Sequence, residues 1–379
     1  MKILNQQIFE NKEAAALPGL MESGGLPALV SGLSGIHRVN LAAALYENLE
    51  LPMFVVCPDD SAAESFTRDL ESMLGRPVNT LYSRDFTFYP SLAASREAEQ
   101  KRLYVLNALR CGESPVTVAT VSALMQRAIP PQTLGKATFT VKDGEPCPPE
   151  ELEAALLRCG YTRCEQVEGA GQFAVRGGIL DVYSPMSAPV RVEFFDTEID
   201  AMGEFDVATQ RRTKNLEELT VLPAAEVLPF AAEGGRDAML ARMEHAAAQL
   251  AKKETTEKTA AAIRADMDRL RESLPLGGMD RYLAAAYPTA VCAADYLPEG
   301  SIVLVCEGSR VMERAKGCAF EWGEDLKILL EEGALAGQFA SLAVELEDLT
   351  RRLRGSFPLL LCDSLPTSRY LTPPRAILS

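Results

Sequence analysis

The stretch Val30-Ser31-Gly32-Leu33-Ser34-Gly35-Ile36-His37-Arg38-Val39 lies between a strand-like run, Pro27-Ala28-Leu29-Val30, and an alanine-rich helical run from Asn40 to Glu47. A phosphate-binding loop belongs at such a junction. Its working form, G-x-x-x-x-G-K-[ST], needs the second glycine so that backbone amides can close on the phosphates. The lysine reaches the β and γ oxygens, and the hydroxyl ligates Mg²⁺. Counted from Gly32, those three places hold His37, Arg38 and Val39. His37 puts a side chain where backbone must approach the ligand, Arg38 replaces a compact ammonium with a planar fork, and Val39 cannot bind a metal. Gly32, Gly35, His37, Arg38 and Val39 therefore read as a degenerate nucleotide loop. Two readings stay open: a vestigial strand–helix turn, and weak nucleotide binding without hydrolysis. An acidic pair at a strand end would favour the second, and the nearest candidates, Asp59-Asp60 and Asp363-Ser364, do not have that form.

A second group of residues sits mid-chain. Side chains alternate between faces in an extended strand. In 190–195, Val190, Val192 and Phe194 share one face, and Arg191, Glu193 and Phe195 share the other. In 172–176, Phe173 and Val175 take the core face and Arg176 the polar one. An outward phenylalanine beside two arginines and a glutamate has the composition of a binding hot spot. The plainer alternative tucks Phe195 under a loop and leaves the charges to solvate the sheet. Gly177-Gly178 reads as a bend between strands. Asp181, flanked by apolar residues, is expected to fix a turn or pair with a nearby arginine, since no second acid or base accompanies it for catalysis. Trp322 reads as packing, and the run 252–258 as a solvated helical face.

The elements that must position these residues alternate in type. The 379-residue chain is long enough for two or three domains. Strand-like runs at 29–30, 53–57, 80–82 and 116–119 are separated by helical stretches at about 40–49, 60–74 and 96–111, which predicts a parallel sheet with crossover helices. Phe66, Leu70 and Leu74 form one apolar stripe. The run 129–135 reads as a linker. A strand at 138–141 and a helix at 149–159 follow, then short alternating strands at 162–168, 172–176, 179–183, 190–195 and 199–205. This is a small α+β domain with an antiparallel sheet. Helical stripes return over 236–275 (Leu240, Met243, Ala247 and Leu250; Ile263, Met267, Leu270 and Leu274), and strand-like runs near 302–306 and 358–362. The last ten residues neither cap a helix nor finish a sheet in this reading, which leads us to expect a longer parent.

Composition narrows the function. The net charge is −15, which disfavours gripping a nucleic-acid backbone over a wide face. Nine scattered cysteines and only two histidines make a zinc site improbable and fit reduced thiols in a cytosolic protein. Residues 1–22 lack the apolar core of a signal peptide, and the longest apolar runs are far short of a membrane span. The expectation is a cytoplasmic protein with no membrane association.

The run 171–183, GQFAVRGGILDVY, with 191–200, RVEFFDTEID, and 205–211, FDVATQR, resembles the UvrA-binding domain shared by UvrB and the bacterial transcription-repair coupling factors (Mfd). UvrB carries an intact phosphate loop and a long aromatic hairpin. Here the loop is degenerate, and Phe88-Tyr89-Pro90 runs almost directly into a helix starting near Arg96, which leaves no room for the hairpin. The whole chain is similar to the N-terminal UvrB-homology module of the coupling factors. The resemblance implies an α/β fold: a degenerate RecA-like parallel-sheet module with an inserted α+β UvrA-binding domain. It implies a first part at 1–134, the UvrA-binding domain at 135–222 and a completing part at 223–379. It further implies a non-catalytic adaptor that recruits UvrA in transcription-coupled nucleotide excision repair, with Arg176, Arg191, Glu193 and Phe195 as the contact residues. The alternative is a UvrB-like nucleotide- or DNA-handling domain. No cofactor is implied for this chain. ATP and Mg²⁺ belong to a double-stranded-DNA translocase motor elsewhere in the parent, RNA polymerase is bound through other domains, and a C-terminal domain covers the UvrA-binding face.

Overall fold

A computed structural model describes residues 8–22, 26–89, 96–365 and 373–378. In the first third, β1 (Ala28–Val30), β2 (Met53–Cys57), β3 (Asn79–Leu81) and β4 (Val116–Thr120) alternate with helices Gly35–Leu49, Asp60–Leu74 and Glu97–Cys111. The middle holds β5 (Phe139–Lys142), helix Pro149–Arg158, β6 (Thr162–Arg163), β7 (Gln172–Arg176), β8 (Ile179–Tyr183), β9 (Val190–Phe195), β10 (Glu198–Phe205), β11 (Arg212–Leu216) and β12 (Glu218–Val221). Helices Gly235–Leu250 and Glu257–Arg271 lead to β13 (Ile302–Cys306), helix Gly308–Glu331, β14 (Leu359–Cys362) and β15 (Ala376–Leu378).

Seven strands form one parallel sheet in the order β15-β1-β14-β13-β2-β4-β3. Both faces are covered, which is why its central strands are unbroken apolar runs. Met53, Val55 and Cys57 face the helices 35–49 and 60–74, while Phe54 and Val56 face the larger core on the other side. Strands from the two ends of the chain interleave, with β1 between β14 and β15. The tail therefore does finish a sheet, contrary to the sequence expectation: Ala376, Ile377 and Leu378 pair with Ala28, Leu29 and Val30. A three-residue edge strand whose central Ile377 is exposed leaves almost no pattern to read. Residues 370–372 lie outside the described residues, as do 90–95, over which the missing hairpin was argued.

The middle of the chain builds a six-stranded sheet, β11-β10-β9-β8-β7-β6, antiparallel except between β6 and β7. β12 pairs with β5 in a separate ribbon. Phe173, Leu180, Val182, Val190, Val192, Ile199 and Met202 on its inner face join the main core with Leu152 and Leu156 of the helix 149–158. Three local expectations change. The supposed linker 129–135 is largely a helix, Pro131–Ala137, because proline at the first helical position starts a helix as readily as it breaks one. The strand expected over 162–168 stops at Arg163, and Leu274 lies beyond its helix and is exposed.

A buried ionic cluster joins the first and last parts of the chain, the last one in part through a residue just past the inserted sheet. The Arg84 guanidinium donates two bonds to Asp280, at 2.8 and 2.9 Å, and one to Glu226 Oε1 at 3.1 Å. Arg102 Nε lies 3.1 Å from the same Glu226 oxygen, and Glu99 accepts from the Glu226 amide at 2.7 Å. Burial pushes the Glu99 carboxyl above the usual carboxylate range. Removing one member of such a cluster leaves an uncompensated charge in low dielectric. Glu226→Ala should therefore lower the unfolding free energy by roughly 3–5 kcal/mol, read as a fall in the urea midpoint. An unchanged midpoint would show that the cluster does not hold the parts together.

Candidate functional site

The degenerate loop is closed by its own chain. Ser34 is the N-cap and the helix begins at Gly35, earlier than expected, so His37, Arg38 and Val39 all lie in its first turns. Three amides at the start of the loop already have partners. Ser31 N donates to Leu378 O at 2.8 Å, and Gly32 N and Leu33 N donate to Ser364 O and Asp363 O, each at 3.2 Å. Arg38 pairs with Glu307 and also donates to Ser364 Oγ at 3.3 Å, and the Ser364 hydroxyl donates to Glu307 at 2.7 Å. Burial works to raise the Glu307 carboxyl, but the Ser364 and Arg38 bonds outweigh it and hold the group below its ordinary range. His37 Nδ1 faces Ser34 Oγ at 3.1 Å, and Val39 is in the core. Among the described residues no cluster of His, Cys, Asp or Glu could hold a metal ion.

The second group does come together, on the outer face of the six-stranded sheet. The register places Arg191 opposite Asp181 and Glu193 opposite Ile179, and Ile179 pairs in turn with Arg176 across the Gly177-Gly178 turn. Gly177 has φ +60°, a left-handed conformation that glycine adopts without strain. Phe195 ends β9 at the tight turn Asp196-Thr197, and its side chain is 76% exposed. The turn is fixed from behind by Cys147 N donating to Thr197 O at 2.9 Å and Ile199 N to Glu145 O at 3.2 Å. The exposed ring thus sits on held backbone. Glu193 pairs with Arg212 at 2.8 Å.

The two arginines differ. Asp181 is 1% exposed, and its carboxylate accepts from Arg176 Nη2 at 2.6 Å and from Arg191 Nε and Nη2 at 2.6 and 2.9 Å. Arg191 also donates to Gln210 O at 3.2 Å and Gln210 Oε1 at 3.0 Å, and its guanidinium lies 4.8 Å from the Phe205 ring centroid. Its side chain is 17% exposed against 47% for Arg176. The Asp181 bonds raise the Arg191 guanidinium above its ordinary value. Arg191, placed on the outward face by strand alternation, is largely bonded within the sheet. Asp181 pairs with arginine as anticipated. Gln210 and Phe205 were missed as members of the group, although the 205–211 run that contains them stood out in the sequence.

Residues 139–227 match the UvrB interaction domain family, a span containing every residue of this face. The chain is 31% identical over 340 residues to the transcription-repair-coupling factor of Bacillus subtilis, covering 86% of this chain and 28% of that protein. It is 30% identical over 286 residues to that of Myxococcus xanthus, covering 72% and 23%, and 25% identical over 324 residues to that of Staphylococcus aureus, covering 82% and 27%. The chain spans about a quarter of the length of these curated relatives.

The geometry separates the face residues by stability. Phe195→Ala should leave the melt unchanged within about 0.5 kcal/mol, as for an ordinary surface change. Arg191→Ala strips bonds from a buried carboxylate and should destabilise by roughly 1–3 kcal/mol. Denaturant melts of the two variants test this, and a collapse caused by Phe195→Ala would mean that the ring is core.

Proposed function

We propose that this chain, which carries a UvrB interaction domain and is homologous over most of its length to the N-terminal part of transcription-repair coupling factor, is the UvrA-docking module of such a factor. The carrying observation is the outer face at the end of β7 and β9, which presents both a 76%-exposed phenylalanine on a held turn and a half-exposed guanidinium. Such a pairing of aromatic area with an arginine is the makeup of an interface hot spot. Arg176 would meet an acidic group on UvrA, Phe195 would supply desolvated area, and Glu193 would help set orientation. Arg191 would act mainly from beneath. In the parent, RNA polymerase, double-stranded DNA and the ATP- and Mg²⁺-dependent motor would engage other domains, and a C-terminal domain would cover this face until UvrA is needed. The role is a non-catalytic adaptor in cytoplasmic transcription-coupled repair. No helix among the described residues is long and apolar enough to cross a membrane.

The loop supports the non-catalytic part of this reading. We take it as the relic of a RecA-like ancestor, because the amides of Ser31, Gly32 and Leu33 and the Arg38 guanidinium already have partners within the chain. Steady-state ATP turnover should equal the buffer blank with or without DNA, and turnover abolished by Arg38→Ala would contradict this. The docking reading is tested by calorimetric titration with UvrA. Arg176→Ala and Phe195→Ala should each weaken binding by tens- to nearly a thousandfold, the roughly 2–4 kcal/mol of a hot-spot truncation, while both variants melt like wild type. If both fold and bind as wild type does, the site lies elsewhere.

A further inference from the structure

Asp181 is the least exposed member of the face, and it touches both arginines. One carboxylate at 1% exposure, central in the sheet, accepts three charge-assisted bonds of 2.6, 2.6 and 2.9 Å. Its two guanidinium partners are held unequally. Arg191 is clamped through Asp181 Oδ1 and Oδ2, through the backbone and side-chain oxygens of Gln210, and over Phe205. Gln210 presents both oxygens from a left-handed conformation, φ 60°, fixed by its amide bond of 2.7 Å to Asp206 O and by the Asp206 carboxylate bonded to Thr209. Arg176 is held by one bond from Nη2 alone. Among the described residues no other hydrogen bond fixes it, so most of its fork is left open to a partner while one corner is pinned.

From this asymmetry we infer that Asp181 is the positioning residue of the docking face: it fixes Arg191 as a support and aims the open edge of Arg176 outward on the sheet face that also carries Phe195. The inference rests on the docking reading above. An unpinned arginine carries large rotamer freedom that binding would have to remove, and a bond to a buried carboxylate removes part of it in advance. Asp181 itself is too buried to touch UvrA. Its effect on affinity must therefore pass through Arg176 and Arg191.

The test is a double-mutant cycle on UvrA affinity, measured by calorimetry with each variant's melt recorded. The variants are Arg176→Ala, Phe195→Ala, Asp181→Asn and Asp181→Asn with Arg176→Ala. Asp181→Asn should weaken binding about tenfold or more at temperatures well below its melt. Arg176→Ala, costing tens-fold in wild type, should cost less than about threefold in the Asp181→Asn background. A purely structural Asp181 would move the melt and leave the cost of Arg176→Ala equal in both backgrounds, which would overturn the inference. If Asp181→Asn does not melt cooperatively, the same cycle on Asp181→Glu decides, because the charge stays while the carboxylate moves by one methylene. The Arg176→Ala cost should again shrink, and an undiminished cost would contradict the inference. If Arg176→Ala and Phe195→Ala bind UvrA as wild type does, the docking reading falls and this inference falls with it. If those two lose affinity but Asp181→Asn does not, only the positioning role is lost.

Discussion

The buried cluster around Arg84 is the constraint from which the rest of the architecture follows. Arg84 lies just after β3, Glu226 just after the inserted sheet and Asp280 in the last third of the chain, and one guanidinium joins all three. Tyr287 adds to the tie, donating its hydroxyl to Glu226 O and accepting from Leu228 N. A cluster of this kind fixes geometry more surely than it adds net stability, because its desolvation cost offsets much of its attraction. Here it holds the return from the inserted sheet against the parallel-sheet body. A docking face needs such a rigid base: loosely hinged, it would lose on ordering what it gained in contact.

The same chemistry appears at two other places with opposite results. At the strand–helix loop, Arg38 is drawn onto Glu307, Ser364 closes over both, and the loop amides turn to carbonyls of the chain. The amides of Ser31, Gly32 and Leu33 and the Arg38 guanidinium are thereby engaged within the chain. On the inserted sheet, Asp181 draws in Arg191 in the same manner but leaves Arg176 half exposed. The difference lies in supply. One carboxylate shared between two arginines cannot saturate both, and the remainder faces solvent on the sheet face that carries Phe195. A face that presents both an unsaturated cation and an exposed ring is a place where a partner gains.

Much of the fold was legible in the sequence because its logic is local. β2, β13 and β14 are buried on both faces and so read as uninterrupted apolar runs. The alternation in 190–195 correctly separates Val190 and Val192 from Phe195. Elements without such a pattern were missed or misplaced. Arg212–Leu216 is a polar edge strand, Pro131–Ala137 hides behind its prolines, and the first turns of the helix at Gly35 overlap the loop motif. At the site, residue types gave the candidates but not their state. Arg38 meets a glutamate 269 positions away, and Arg191 meets Gln210 only because Gln210 takes a left-handed conformation. Neither pairing leaves a trace in spacing, so the sequence shows which arginines lie on the face but not which of them is free.

Backbone hydrogen exchange of this chain, alone and saturated with UvrA, addresses the proposed docking face directly. The slowed amides should cluster at the two turns that carry the face, around Arg176–Ile179 and Phe195–Glu198, while the loop Ser31–Ser34 and the helix Gly308–Glu331 exchange as in the free chain. Protection centred on the parallel-sheet body, with those two turns unchanged, would contradict docking through the inserted sheet.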